Sequence, residues 1–204
     1  MKKVLWMVTL VLIMALAVNA QDADKKVNMY LGAGAGLPMG DFGDAYGTGL
    51  HGMGAIGFKV APTFQIRGKV EFHTFGMDEA YRTTLAEFFG TGTVSNIDGG
   101  GANFIMFGGD AKYNFQMENS KFSPYLVGGL GMAAISAKDL TFTDDNGSQT
   151  LETDSETKVY FEVGAGFEIA SGEAMSFFVQ GRYVSVSTEG TSSAFLPFTV
   201  GLRF

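Results

Sequence analysis

Large apolar side chains occupy every second position of the closing segment: Leu196, Phe198, Val200, Leu202 and Phe204, with Pro197, Thr199, Gly201 and Arg203 between them. A period of two puts successive side chains on opposite faces of a strand, so this segment carries one continuous apolar face. The alternation runs through to an aromatic last residue. Terminal residues fray unless something ties them down. A strand that reaches Phe204 is therefore expected to close a barrel, with Phe204 anchored at a membrane interface.

Seven further segments share the period, giving expected strands near 27–37, 48–60, 63–75, 103–115, 122–136, 158–169, 175–187 and 195–204. The third is the clearest: Phe64, Ile66, Gly68, Val70 and Phe72 face one way, and Gln65, Arg67, Lys69, Glu71 and His73 the other. In the sixth, Val159, Phe161, Val163, Ala165, Phe167 and Ile169 oppose Lys158, Tyr160, Glu162, Gly164, Gly166 and Glu168. Soluble strands average about 5–6 residues, whereas a tilted membrane strand needs about 9–11, which suits these segments better. Only 17% of the residues are charged, while Gly numbers 29 and Phe 19, and no long stretch has helical periodicity. The expected class is all-β, with an eight-stranded antiparallel up-and-down transmembrane β-barrel over 21–204.

Alternation alone also fits a lipocalin-like barrel or a sandwich, with the apolar face turned inward. Three features favour the apolar face outward. The polar face holds Gly32, Gly34, Gly36, Gly164 and Gly166, although Gly weakens a strand; a narrow lumen needs that room for long side chains from the far wall. Connections 38–47, 76–102, 137–157 and 188–194 are longer than 61–62, 116–121 and 170–174, and the two kinds take turns, as external loops and periplasmic turns do. The third feature is the terminal Phe204.

The N-terminus bears on the compartment. Lys2 and Lys3 precede an uncharged run, Val4 to Val18, and then Val18-Asn19-Ala20. A basic start, a short apolar stretch and a small-residue site describe a cleavable signal peptide helix, here 1–20. The run is shorter than the ~20 residues of a spanning helix. The absence of Cys excludes disulfides and thiolate metal sites. Formal charge is −7, and loss of Lys2 and Lys3 takes it to −9, so nucleic acid is not an expected partner.

The runs Leu31-Gly-Ala-Gly-Ala-Gly-Leu-Pro38, Pro124-Tyr-Leu-Val-Gly-Gly-Leu-Gly131 and Phe198-Thr-Val-Gly-Leu-Arg-Phe204 make the chain similar to the small eight-stranded outer-membrane proteins of the OmpA/OmpX type, the outer membrane protein β-barrel domains. The resemblance implies export to the outer membrane of a Gram-negative-type bacterium and contact with its lipid. It also implies delivery by the barrel-assembly machinery, which in that family reads the last strand; Val200, Leu202 and Phe204 match that signal. A monomer is expected, without cofactor. Enzymes of this fold, lipid A deacylases and palmitoyl transferases, place a Ser and a His together at the outer rim. The C-terminal half has Ser185, Ser187, Ser192 and Ser193 but no His, so no catalytic role is expected.

Inside, parity lists Lys59, Arg67, Lys69, Glu71, Asp110, Lys112, Glu162, Glu168, Arg182 and Arg203. Eight strands enclose a space that side chains fill, and buried charges must pair. Arg67, Lys69, Glu71, Asp110, Lys112, Glu162 and Arg182 are thus expected to form a lumen network. A 170–174 turn centred on Gly172 would set Glu162 opposite Arg182. A turn centred on Pro62 would set His51 opposite His73, as polar wall residues or as two ligands lacking a third. Phe104, Met106 and Phe178 also point inward.

Function would sit in the loops. Within 76–102, Asp78 can cap a short helix and Gly90 end it, with Tyr81, Leu85, Phe88 and Phe89 at helical spacing. The 137–157 loop is acidic and holds Asp144-Asp-Asn-Gly147, a fragment of a calcium loop without the full spacing. It reads as a solvated loop. Two functions follow: a structural, surface-interacting barrel with a filled lumen, acting through loops 76–102 and 137–157, or a narrow conduit for small, apolar solutes as in OmpW-like barrels.

Overall fold

The alternating segments pair into a closed sheet in the computed structural model, which describes residues 27–89, 96–115, 120–137, 139–144, 147–151, 155–172, 175–187 and 192–204. The expected signal segment 1–20 lies outside the described residues. Eight long strands form the wall: β1 (Val27–Met39), β2 (Gly49–Ala61), β3 (Phe64–Phe75), β5 (Ala102–Asn114), β6 (Phe122–Ala137), β9 (Ser155–Ala170), β10 (Ser176–Ser187) and β11 (Ser192–Arg203). Their order is β1-β11-β10-β9-β6-β5-β3-β2, closing back on β1, with every pair antiparallel. This is the expected up-and-down barrel, and each strand begins and ends within three residues of its expected bounds.

Closure removes the free strand edges that an open sheet leaves. β1 and β11 pair from Tyr30↔Arg203 to Met39↔Ala194. Below that seam Met29 and Phe204 exchange both backbone hydrogen bonds, at 3.1 and 2.9 Å. The last residue is held to the first strand.

Exposure settles which face is which. Outward positions are large and apolar, with Leu130 69%, Val200 61% and Phe198 52% exposed, while inward Arg67, Glu71 and Arg182 are at 2% or less. A water-soluble barrel has the opposite pattern. A continuous apolar belt around a charged interior is the arrangement that hydrocarbon requires.

The inward glycines need a different account from the expected one. A Cβ on Gly164 would lie 2.6 Å from Arg182 Cγ, and one on Gly166 2.6 Å from Tyr125 Cζ. Arg182 and Tyr125 are the register partners of Gly164 and Gly166. At these two glycines the bulky group that uses the room comes from the neighbouring strand, whereas at Gly32 and Gly36 the rings of Phe178 and Phe75 reach in from one strand further round. In a sheared barrel an inward side chain leans over the adjacent strand before it reaches the far wall.

The long connections hold short elements. α1 (Asp41–Ala45) follows β1, and α2 (Glu79–Phe89) follows β3. Asp78 begins α2 as expected, its Oδ1 accepting from Ala80 N at 2.9 Å. β4 (Asn96–Gly99), β7 (Leu140–Asp144) and β8 (Gly147–Leu151) form a separate three-stranded sheet in the order β4-β7-β8. The solvated-loop expectation for 137–157 is corrected here. Leu140-Thr-Phe-Thr alternates and Asn146-Gly147 is a hairpin signal. β7 and β8 pair antiparallel from Leu140↔Leu151 to Asp144↔Gly147, so the described part of this stretch is a strand pair.

Candidate functional site

The lumen is layered. Its charged layer starts from two inward positions of β3, Lys69 and Glu71, and two on the opposite side of the ring, Glu162 of β9 and Arg182 of β10. Arg182 grips Glu71 with two parallel bonds, Nη1 to Oε1 at 2.5 Å and Nη2 to Oε2 at 2.8 Å. Its Nη1 also donates to Glu162 Oε2 at 2.7 Å. Lys69 Nζ donates to Glu71 Oε1 at 2.7 Å and pairs with Glu162. Two cations thus bridge two carboxylates across the barrel, all four side chains without solvent exposure.

A second pair lies toward the short turns. Arg67 and Asp110 are register partners on β3 and β5, joined through Nε–Oδ1 at 2.7 Å and Nη2–Oδ2 at 2.9 Å. Lys112 pairs with Glu168 and sits 4.1 Å from the Tyr125 ring centroid. Tyr30 donates to Gln65 Oε1 at 2.6 Å, and the Arg67 guanidinium lies over its ring at 5.0 Å. Buried cations Arg67, Lys69, Lys112 and Arg182 are thereby matched by Glu71, Asp110, Glu162 and Glu168. Charge balance and pairing are the conditions under which buried charge is tolerated, although Arg67 Nη1 and Arg182 Nε have no hydrogen-bond partner.

The seven expected network residues all lie buried in the lumen, in separate groups: Lys69, Glu71, Glu162 and Arg182 in the charged layer, with Arg67, Asp110 and Lys112 nearer the short turns. Lys59 is exposed at the short-turn end and Arg203 is part-buried, reaching Glu168 at 3.3 Å. Arg182 pairs with Gly164, and Glu162 with Val184; the β9–β10 turn is centred one residue later than Gly172. The expected Glu162–Arg182 contact survives because a guanidinium reaches the diagonal neighbour.

His51 and His73 are register partners, as expected. Their rings stack at 4.9 Å with 19° between planes. His73 Nε2 donates to Glu71 Oε2 at 3.0 Å, and His51 Nε2 lies 2.9 Å from Thr199 Oγ1. Both rings are buried. Among the described residues, no group of three or more His, Asp or Glu is placed to hold a metal ion.

The upper layer departs from the expectation. The reading of a charged lumen fits its middle and lower parts, but the mouth is apolar. Phe42 of α1 turns into the barrel and meets Phe75 edge-on at 5.1 Å and Phe104 at 5.6 Å, with Phe195 5.3 Å from Phe75. Met106, Ala133, Val184 and Val186 complete the cluster. Phe75 and Phe195 continue the inward parity of β3 and β11 and were legible. Phe42 lies in a connection, where no periodicity marks it.

Among the described residues, ion pairs bridge opposite walls across the middle of the lumen and aromatic rings pack against one another at its mouth. The constellation is one of lumenal packing. Comparison with known proteins agrees on the architecture. The chain is similar to Neisserial surface protein A, at 15% identity and a TM-score of 0.57, over 88% of this chain and 96% of that one. It is also similar to a major outer membrane protein from Thermus thermophilus, at 12% identity and a TM-score of 0.53, over 87% and 98%. No match was found among curated proteins. Residues 8–204 match the family described as outer membrane protein beta-barrel domain. The closed antiparallel wall of eight strands agrees with that match, and this chain belongs to the outer membrane protein β-barrel domain family.

Proposed function

We propose that this integral outer-membrane barrel is a closed, non-enzymatic platform that stiffens the membrane and presents its long connections to surface partners. The observation that carries the reading is the bridging of opposite walls by Arg182, Glu71, Lys69 and Glu162 beneath an aromatic mouth. Such a lumen supports a structural role over a passage. What remains for recognition is the material outside the membrane: α2 and the sheet β4-β7-β8, drawn from 76–102 and 137–157. In this reading residues 1–20 direct export, the barrel-assembly machinery reads Val200, Leu202 and Phe204, and the barrel works as a monomer. The burial of His51 and His73 beneath the aromatic mouth, engaged with Thr199 and Glu71, supports the non-enzymatic assignment.

One observation favours the second reading, a conduit for small apolar solutes: the mouth formed by Phe42, Phe75, Phe104 and Phe195. Such a solute would have to leave sideways, above the charged layer. Vesicles loaded with the protein separate the two readings. A closed platform gives no uptake of small polar or apolar solutes above protein-free vesicles. Uptake of either class would overturn it, and uptake of the apolar class alone would establish the conduit.

A further inference from the structure

Outward-facing glycines interrupt the apolar belt on one side of the barrel. Outward positions on β2, β3, β5 and β6 are occupied by Gly52, Gly54, Gly68, Gly109 and Gly128, among Ile66, Val70, Phe107 and Leu130, each about half exposed or more. The inward glycines are explained by side chains that need their space. These outward ones are not: a Cβ on Gly68 would have nothing within 4 Å, and on Gly54 its nearest neighbour would be Leu31 Cδ2 at 3.8 Å. Neither has the positive φ that would demand glycine. Gly181, outward on β10, differs, since the Phe198 ring lies 3.2 Å from where its Cβ would be.

The bare backbone opens a groove. Gly54 pairs with Val70, and Ile56 with Gly68. Together with Met29 and Leu31 of β1 these residues line a cavity of about 230 Å³ whose walls are almost wholly apolar. It lies near the middle of β2 and β3 and toward the start of β1. Glycine inside a strand weakens it and commonly marks a place where a ligand comes close to the backbone. The groove is continuous with the belt that the bilayer covers and presents almost no polar surface to hold water or a headgroup. Its occupant must therefore come from the hydrocarbon.

We propose that this groove on β1, β2 and β3 is a lipid site, which seats one acyl chain of a diacyl phospholipid. The chain lies against the backbone at Gly54 and Gly68, between Leu31, Ile56 and Val70, and exchanges more slowly than lipid elsewhere on the belt.

Native mass spectrometry of the full chain, extracted into detergent from dioleoyl phosphatidylglycerol bilayers, tests this. The expected result is one retained phospholipid per barrel, lost in Gly68→Leu and in Gly54→Leu, which fill the groove without a clash, and kept in Val163→Leu on β9. Heat-dependent gel migration certifies that each variant is closed. Absence of retained lipid in the unaltered chain, or equal retention in the filled variants, would overturn the proposal. So would a dimer that the filled variants split, since the occupant would then be a second copy. A phospholipid carrying a mid-chain diazirine gives an answer without any substitution. Cross-links concentrated on Leu31, Ile56 and Val70 are expected, and labelling spread evenly around the belt would refute the site.

Discussion

Arg182 shows how much rests on single residues of this lumen. Its guanidinium serves Glu71 from across the barrel and Glu162 from the adjacent strand. Both carboxylates lack solvent. Removing one partner of a buried ion pair leaves an uncompensated charge and costs about 3–5 kcal/mol. Arg182→Ala should lose that much stability, read as a shift of the urea midpoint for the barrel refolded in vesicles. Arg182→Lys should recover part of it, because an ammonium keeps the charge but not the two parallel bonds. Equal loss in both variants would mean that geometry, not charge, holds the layer. Parity was enough to place these residues inside, because a strand's period leaves only two faces. Register was harder to read. It depends on the centre of the β9–β10 turn, and Ser171-Gly172-Glu173-Ala174-Met175 offers several. A shift of one residue in that centre moves Arg182 from Glu162 to Gly164 as direct partner. The β2–β3 turn was easier to centre because Pro62 marks it, and His51 and His73 meet as read.

Among the elements, the long strands were legible and the short ones were not. A strand of 12 to 16 residues repeats its alternation often enough to stand out from the background. β4, with four residues, and β7 and β8, with five each, barely complete two periods, and the last two lie within an acidic stretch. α1, with five residues, has no periodicity to read. Yet α1 carries Phe42, which packs into the mouth. Phe42 touches Tyr46, Phe75, Phe104 and Phe195 and is 7% exposed. Phe42→Ala removes a buried aromatic from a packed cluster, a change that costs about 3–5 kcal/mol in protein cores. The midpoint of thermal unfolding should fall accordingly. Conductance across a planar bilayer should stay near zero, since the charged layer lies beneath the plug. A current in Phe42→Ala alone would show that α1, not Arg182 and its partners, is the seal.

At the scale of the molecule, the two ends of the described chain make one seam. Each wall strand needs two neighbours, and β1 and β11 find theirs only in each other once the ring is complete. The seam ends with the reciprocal bonds between Met29 and Phe204. Phe204 therefore has two separable roles in this reading: it finishes the last hydrogen-bonded step, and it is the proposed cue for the assembly machinery. Deleting Phe204 distinguishes them. The structural role concerns one backbone pair, worth about 1 kcal/mol for a hydrogen bond, within a wall of eight paired strands. Refolding of the deletion variant into vesicles, without any machinery, should therefore be only slightly impaired. The proposed cue predicts a larger effect in cells, with the membrane-inserted yield falling by most of its value. Phe204→Tyr should restore it, since an aromatic ring remains at the interface. Normal yield in cells after deletion would refute the cue, leaving Phe204 as the last tie of the seam. Equal impairment in vesicles and in cells would assign the whole effect to closure.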